Sequence, residues 1–161
     1  MIIEKIKKED AKELAHNIAV VWNTTYKGIV DNEFLENLYL NEDYSAKNII
    51  NKIDNNDNYY VLKLNNKIIG WIYYDYVSDK YENAGEIYSL YVLKEYHKKG
   101  YGKLLFNFAV NDMKKNNINK FVVGCLEGNP SNEFYKYMGG KYISNNLFRE
   151  KYLENIYLFI V

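Results

Sequence analysis

The stretch Glu86–Leu105 constrains the fold of this chain most, because a strand pattern, a basic loop and a helix pattern follow one another there without a gap. The run Ile87–Leu93 is short, apolar and rich in aromatic and β-branched residues, as a buried strand is. Basic residues follow it, then Gly100 and Gly102, and then apolar residues at helical spacing. The sequence therefore predicts a strand that leads through a glycine loop into a helix.

The glycine loop is predicted to bind a phosphate or pyrophosphate group. Gly100 and Gly102 carry no Cβ, so backbone N–H groups can approach a ligand closely where the helix begins. His97, Lys98 and Lys99 precede these amides and add charge to the positive end of the helix dipole. The alternative interpretation is a loop that only changes the direction of the chain.

Two common phosphate-binding loops are excluded by the residues at fixed offsets. A Walker loop needs a glycine five positions before its Gly-Lys pair and Ser or Thr after it, but Gly102-Lys103 has His97 and Leu104 there. The dinucleotide-binding fingerprint needs a third glycine, and Leu105 occupies that position. The expected ligand is therefore a phosphate compound of another class.

The loop resembles the acyl-CoA signature of the GCN5-related N-acetyltransferases (the GNAT family), which reads Gln or Arg, two variable residues, Gly, one residue, and Gly or Ala. His97 takes the place of the Gln or Arg. A second block, Asn129–Gly140, resembles the family's Asn, Phe-Tyr and Gly segment, with Gly140 where a Phe is usual. The resemblance covers nearly the whole chain and implies acetyl-CoA as the cosubstrate.

The resemblance also implies which residues bind acetyl-CoA. Backbone groups of Leu90, Tyr91 and Val92 would pair with the pantetheine arm like an added strand. Asn129 would contact the CoA arm as well as cap a helix, and Tyr135 would also lie at the cofactor. The residues expected to hold the pyrophosphate are those of the loop: His97, Lys98, Lys99, Gly100, Tyr101, Gly102 and Lys103.

Tyr135 is predicted to be the acid that protonates the departing thiolate. It follows Phe134 by one position, about 100° round the helix from an expected buried stripe of Phe134, Tyr137 and Met138. It would therefore face a cleft, where a phenol can donate a proton. The alternative is a tyrosine that only packs or lies on the surface.

Glu86 is predicted to be the base that accepts a proton from the incoming amine, directly or through a water. It lies eleven residues before His97, the offset of the catalytic glutamate in histone-type members of the family. The alternative is a solvated carboxylate at the start of a strand. Cys125 could carry the acetyl group in a double-displacement route, but no neighbour in sequence would activate its thiol, so a buried structural role is expected.

The composition of the chain limits the classes of molecule that it is expected to bind. The chain has 21 basic and 21 acidic side chains, so no overall field attracts it to nucleic acid or to an anionic membrane. Cys125 is the single cysteine and cannot form an internal disulfide or a metal cluster. The segment Met1–Lys5 is charged too early for a signal peptide, and every apolar run is shorter than the ~20 residues of a membrane span. We expect a cytoplasmic protein with no metal.

The whole chain, residues 1–161, is predicted to form one mixed α/β (α+β) domain. By resemblance, a mostly antiparallel twisted sheet is flanked by helices and contains a splayed central strand pair. Asn65-Asn66 joins two of the strands in a tight hairpin. The expected strands are 2–6, 59–64, 67–74, 86–93, 121–126, 142–148 and 155–161, and the expected helices are centred on 14–22, 31–38, 45–53, 100–116 and 129–139.

The sequence and its resemblance together predict an N-acetyltransferase that moves the acetyl group of acetyl-CoA directly to a primary amine of a small molecule or peptide. The candidate acceptor-binding residues are Trp22, Tyr26, Asp31 and Asp75, since aromatic rings and carboxylates suit a cationic amine. An exposed edge among the last strands is compatible with a homodimer. The alternative from another class is a non-catalytic acyl-CoA-binding sensor or interaction module.

Overall fold

The computed structural model describes residues 1–161, which form seven strands and five helices. The strands are β1 (Ile2–Lys5), β2 (Asn58–Leu64), β3 (Lys67–Asp75), β4 (Gly85–Val92), β5 (Lys120–Leu126), β6 (Lys141–Phe148) and β7 (Tyr152–Ile160). The helices are α1 (Ala11–Thr25), α2 (Asn32–Leu40), α3 (Glu42–Asp54), α4 (Tyr101–Lys115) and α5 (Ser131–Tyr137). Short 3₁₀ turns lie at Lys8–Asp10 and Lys94–Tyr96. A bilayer-spanning segment would need a longer and more apolar helix than any of these.

The strands form one sheet in the order β1-β2-β3-β4-β5-β7-β6. The pairs β1–β2, β5–β7 and β6–β7 are antiparallel, whereas β4 and β5 are parallel. The predicted mixed and mostly antiparallel α/β fold is therefore confirmed.

The parallel ladder between β4 and β5 is short. It contains three residue pairs, from Gly85–Phe121 to Ile87–Val123, and β4 continues for five residues beyond it, to Val92. By contrast, β5 pairs with β7 along its whole length, from Lys120–Ile160 to Leu126–Glu154. A ladder that stops after three pairs agrees with the splayed central pair expected from the sequence.

The turn between β2 and β3 is the hairpin that the sequence predicted. Asn65 and Asn66 have φ values of 51° and 64°, which lie in the left-handed region that asparagine tolerates better than most residues. A two-residue turn with both central residues at positive φ matches the twist of the flanking strands.

The chain divides into two units, and each has its own core. The first unit comprises 1–73 and 89–105. Its core contains Leu14, Ala15, Val61, Ile68 and Trp71, each 1% exposed or less. Leu14 and Ala15 come from the inner face of α1, so the helical spacing of apolar residues correctly indicated which face is buried.

The second unit comprises 74–88 and 106–161, and aromatic rings dominate its core. Phe121 of β5 and Phe159 of β7 stack with centroids 4.8 Å apart and ring planes 3° apart. Phe106 of α4 lies 5.8 Å from the first ring and 5.1 Å from the second. This cluster fixes the helix against the paired strands β5 and β7, since stacked rings add to the energy of burial.

Some predicted boundaries and burials differ in the structure. α3 begins at Glu42 rather than near 45, because Asn41 ends α2 by donating its side-chain amide to the Asn37 carbonyl at 2.9 Å. The acidic Glu42 and Asp43 then suit the first turn of the next helix. In α4, Leu104 is one of the apolar residues at helical spacing after Gly102, but it is 38% exposed rather than buried.

Candidate active site

The loop His97–Lys103, here called the phosphate loop, joins the 3₁₀ turn after β4 to α4. Gly100 has φ +85° and Lys98 has φ +60°, so the loop reverses through two left-handed residues. The first intrahelical bond of α4 runs from the Leu104 amide to the Gly100 carbonyl at 3.0 Å. The amides before Leu104 therefore lie at the helix end where α-helical geometry supplies no acceptor, which is the arrangement that binds anions.

The lysine side chains of the phosphate loop are exposed to solvent. Lys98, Lys99 and Lys103 are all in the exposed class, and the Lys99 ammonium lies 5.5 Å from the centroid of the Tyr96 ring. Exposed ammonium groups beside helix-start amides suit a doubly charged pyrophosphate. These residues therefore fit the phosphate end of acetyl-CoA.

His97 has a role inside the loop. Its Nε2 donates a hydrogen bond to the carbonyl of Val92, the last residue of β4, at 2.7 Å. This bond ties the start of the loop back to the strand, so one ring nitrogen at most remains for a ligand. The sequence could not indicate this contact, because the motif position suggests only a ligand-facing side chain.

The strand residues Leu90, Tyr91 and Val92 are half-buried at the end of β4. Gly70 of β3 lies against them, since a Cβ built there would approach the Tyr91 carbonyl oxygen to 3.0 Å. Leu93 donates its amide to the Ile69 carbonyl at 2.8 Å, which anchors the strand end to β3. The backbone predicted to face the pantetheine arm is thus held on its β3 side.

Two of the candidate acceptor residues belong to an aromatic cluster in the first unit. Trp22 is half-buried, and its ring centroid lies 4.4 Å from that of Tyr26 and 5.7 Å from that of Phe34. The Tyr26 and Tyr91 hydroxyls are 2.9 Å apart and hydrogen-bonded. The cluster connects the end of α1 to β4 through side chains that both present hydroxyl groups.

The two carboxylates among the acceptor candidates are both exposed. Asp31 precedes α2 and its carbonyl accepts from the Leu35 amide at 3.2 Å. Asp75 ends β3 and accepts from the Tyr76 amide at 2.6 Å. Asp31 and the aromatic cluster lie in the first unit, whereas Asp75 lies in the second.

In the second unit, Asn129 and Tyr135 frame α5. Asn129 is 5% exposed, and its Oδ1 accepts from the Ser131 amide at 2.9 Å, in the turn just before the helix; the N-cap itself is Pro130 rather than Asn129. Tyr135 is 5% exposed, with its ring 5.4 Å from Phe134 and 6.2 Å from Tyr157. Both side chains are fixed by packing.

The predicted buried stripe of α5 was wrong. Tyr137 is 77% exposed and Tyr135 is the buried residue of the helix. The helix has only seven residues and ends at Tyr137, and Gly139 follows two residues later with a φ of +101°, as glycines that follow helix ends often do. Spacing over so short a segment does not define a face, so the proposed role of Tyr135 depends on its position in the motif.

Glu86 is fully buried, at 0% exposed, rather than solvated at a strand start. Its Oε1 accepts from the Ser78 hydroxyl at 2.6 Å, and its Oε2 is ion-paired with the Lys80 ammonium. The same ammonium lies 3.7 Å from Oε1 of Glu154 on β7. We refer to Lys80, Glu86 and Glu154 as the charge cluster.

Glu154 was missed by sequence reasoning. Burial raises the pKa of its carboxyl above the ordinary value, and the charge of Glu86 adds to the rise, while Lys80 opposes it. Gly124 of β5 leaves room for it, since a Cβ there would lie 2.5 Å from the Glu154 Cδ. The available signal was a charged residue in the otherwise apolar strand β7, because such residues are seldom buried without a partner.

Cys125 is 5% exposed, and burial raises the pKa of its thiol to about 12, with the negative charge of Glu154 as a further cause. A thiol that stays protonated at neutral pH is a poor nucleophile. The expected structural role of Cys125 is thus supported by its surroundings. No group of three or more His, Cys, Asp or Glu residues in the structure could hold a metal ion.

Several known proteins are similar to this chain in sequence. Residues 22–139 match the acetyltransferase (GNAT) family. A spermidine N(1)-acetyltransferase from Thermoplasma acidophilum is 31% identical over 121 residues, which cover 72% of each chain. An uncharacterized N-acetyltransferase of Bacillus subtilis, YuaI, is 24% identical over 141 residues, covering 83% of this chain and 76% of that one.

Solved structures give the same result for the fold. The PaiA N-acetyltransferase from T. acidophilum, solved in complex with coenzyme A, superposes with a TM-score of 0.84 at 25% identity, over 99% of this chain and 98% of that one. A ribosomal-protein-alanine N-acetyltransferase from Brucella melitensis superposes with a TM-score of 0.73 at 15% identity over the whole of both chains. The second similarity concerns the fold alone.

Proposed function

This chain belongs to the GNAT acetyltransferase family and is an N-acetyltransferase that uses acetyl-CoA, and we propose that its acceptor is the primary amine of a small cationic molecule. The observation that carries the proposal is the half-buried indole of Trp22, packed against Tyr26 and Phe34. Aromatic faces attract ammonium groups. The resemblance to a spermidine acetyltransferase supports the same class of acceptor, and these findings favour the enzyme over a non-catalytic acyl-CoA-binding module.

Acidic side chains follow this cluster along the chain. Asp31, Glu33, Glu36 and Asp43 are all exposed, on or beside α2 and the start of α3. They give this part of the first unit a negative surface, which raises the local concentration of a cationic acceptor. A peptide acceptor would not require that charge, so the small-amine proposal is the more specific one.

Acetyl-CoA supplies the acetyl thioester. We assign the phosphate loop to the pyrophosphate, through the amides of Tyr101 and Gly102 and the ammonium groups of its lysines. The backbone of Leu90–Val92 would orient the pantetheine arm. Backbone amides and flexible lysines would then supply most of the binding of acetyl-CoA, and the side chains around the thioester would need to contribute little to it.

Glu86 and Tyr135 are the proposed proton-transfer groups of the reaction. The amine reaches the site as an ammonium and must lose a proton before it attacks the thioester carbonyl, and Glu86 is the proposed acceptor of that proton, directly or through a water. The carbon–nitrogen bond then forms, and as the carbon–sulfur bond breaks Tyr135 donates its phenolic proton to the leaving sulfur. The second proton leaves the nitrogen as the amide forms and, passed through water, returns Tyr135 to the phenol. Both groups are held by packing in the second unit, as acid–base catalysts need to be.

Single substitutions separate catalysis from binding. Tyr135→Phe is expected to lower kcat by about 100-fold or more, the usual contribution of one general acid, with the Kd for CoA unchanged. Tyr137→Phe, two residues along the same helix and exposed, is the matched control. Steady-state kinetics and calorimetric titration measure the two quantities, and a Tyr135→Phe enzyme with normal kcat would remove the tyrosine from the mechanism.

The acceptor class is tested by a panel of polyamines, aminoglycosides, amino acids and peptides, with CoA release as the readout. We expect polyamines to have the highest kcat/KM, and Trp22→Leu to raise KM for the amine while KM for acetyl-CoA stays the same. The exposed Tyr142 on β6, replaced by Ala, serves as the control for loss of a surface ring. Turnover of peptides alone would refute the proposal.

A further inference from the structure

Lys80 lies in the connection between β3 and β4 and is the one positive charge of the charge cluster. Its ammonium is ion-paired with Oε2 of the fully buried Glu86 and lies 3.7 Å from Oε1 of Glu154. Both carboxylates are largely removed from water, the second with 12% of its side chain exposed. The cluster therefore holds two negative charges and one positive charge in a region of low solvent access.

A buried carboxylate stays ionised only when another group compensates its charge. If Lys80 were absent, Glu86 and Glu154 would face each other as like charges, and protonation of one of them would relieve the repulsion. The pKa of Lys80 reflects this: burial alone would lower it, but the hydrogen bond to Glu86 and the charges of Glu154 and Glu86 raise it above the ordinary value. Lys80 is thus held in its charged form.

The same connection fixes the orientation of the Glu86 carboxylate. Ser78 donates its hydroxyl to Oε1 at 2.6 Å, and its Oγ accepts from the Lys80 amide at 3.0 Å. The Ser78 amide in turn donates to the Ala84 carbonyl at 2.7 Å. Both carboxylate oxygens are therefore bound by residues two positions apart in one short, internally bonded segment.

Lys80 is also the member of the cluster with most access to solvent. Its side chain is 22% exposed, against 0% for Glu86. It lines a cavity of about 400 Å³, together with Asp79 and Ser144 and with Asn145, Asn146 and Ile156. Lys80 is therefore the member of the cluster that solvent reaches most readily.

We propose that Lys80 is a positioning residue for Glu86: its ammonium keeps the buried carboxylate ionised and, with Ser78, holds it in one orientation, ready to accept a proton. This inference rests on the proposed role of Glu86 as base. Other charged and titratable groups beside the cluster are Glu154 from β7, Tyr88 from β4 and Asp79, whose charge acts on Lys80, and Cys125 of β5 lies near Glu154. None of these is a cation, so Lys80 has no substitute.

The test is the pH dependence of kcat/KM for the amine in wild type, Lys80→Met and Lys80→Arg. In Lys80→Met the buried carboxylate loses its counter-charge, so the acid limb of the profile should move to higher pH by about one unit or more. Lys80→Arg keeps the charge and should restore the wild-type limb. An unmoved limb in Lys80→Met would overturn the proposal, since a merely structural lysine would change yield or stability but not this limb.

A second variant keeps the proposal testable if Lys80→Met does not fold. Lys80→Met/Glu154→Gln leaves a single carboxylate in the cluster and removes the like-charge repulsion. Its acid limb should still lie above that of Glu154→Gln alone, because Glu86 remains without a cation. Coincident limbs in these two variants would contradict the role of Lys80.

A measurement without turnover separates this inference from the proposed function. Carboxyl ¹³C NMR of glutamate-labelled protein, with the Glu86 signal assigned by its loss in Glu86→Gln, should show a carboxylate in wild type at neutral pH and a shift toward the acid form in Lys80→Met. Identical Glu86 signals in the two proteins would overturn the inference. A changed signal together with a fully active Glu86→Gln enzyme would support the role of Lys80 while refuting Glu86 as base.

Discussion

The phosphate loop is made of consecutive residues, and its proposed ligands include backbone amides, whereas the charge cluster joins Lys80, Glu86 and Glu154 from a connection and two strands. The loop is exposed and its lysines lie in solvent, while the cluster is buried and every charge in it affects the others. A local motif of this kind can be predicted from sequence spacing. A set of side chains brought together by the fold cannot be, and it is also less tolerant of change.

The largest effect is expected in the loop, where binding depends on summed charge. Lys98→Glu/Lys99→Glu/Lys103→Glu should weaken CoA binding by about 100-fold or more, because each charge-assisted hydrogen bond contributes about 1.5–3 kcal/mol and about 1.4 kcal/mol is tenfold in Kd. At saturating acetyl-CoA, kcat should stay near wild type, since uniform binding was lost.

Lys114→Glu/Lys115→Glu, at the other end of α4, is the control for the change in overall charge. Titration calorimetry of both variants gives the two Kd values. Equal losses in the loop and control variants would mean that the loop does not bind the phosphates.

The next largest effect is expected where Glu154 of the charge cluster lies against Gly124 of β5. Gly124→Ala should destabilise the protein by about 1–3 kcal/mol, because the new Cβ would overlap Glu154, whose Cδ lies 2.5 Å from its position. Glu154→Ala in the same chain removes the overlap, so the double variant should recover part of that loss. Urea unfolding of all four proteins closes the cycle, and strictly additive losses would disprove the contact.

A smaller effect follows from the titration of Glu154. Its pKa in the folded protein lies above the ordinary value of 4.5. The folded state therefore loses stability as the pH rises from that value through the folded pKa, and regains it at lower pH. Glu154→Gln should raise Tm by a few degrees at pH 7, where about 1 kcal/mol corresponds to 2–4 °C, and should have no such effect near pH 4. A Tm difference that is the same at both pH values would contradict this.

The smallest effect is expected at Cys125. With a thiol pKa of about 12, it should react with a disulfide reagent at pH 8 only as fast as the protein unfolds, and Cys125→Ala should retain full turnover. Loss of activity in that variant, or a trapped acetyl-cysteine, would favour double displacement over direct transfer.

Local patterns predicted most of the fold. The hairpin at Asn65-Asn66 and the strand–loop–helix around Gly100 depend on neighbouring residues, and both were predicted correctly. The face of α5 was not, because seven residues give too few repeats to define a buried side and Tyr135 is buried where Tyr137 was expected to be.

The candidate site likewise has one part that neighbouring residues predict and one part that they do not. The strand–loop–helix geometry of the phosphate loop was predictable from residues close in sequence, whereas its binding of phosphate stays a prediction. The partners of Glu86 were not predictable, since Lys80 lies in an irregular connection and Glu154 follows 68 residues later, in a strand that contacts β5 rather than β4. The only indication in the sequence was the charged residue Glu154 in a largely apolar strand, because a charge that is buried usually has a partner.

The chain has two histidines, and both have defined partners within the first unit. His97 is bonded to the Val92 carbonyl at the phosphate loop, and His16 lies 2.8 Å from Glu42 on the outside of the helices. A ¹⁵N spectrum of the imidazole rings would therefore contain one reporter in the loop and one reference outside it. In ¹⁵N-histidine-labelled protein, occupancy of the loop by CoA, an analogue or an inhibitor fragment could be followed from the His97 ring signals against those of His16, without turnover.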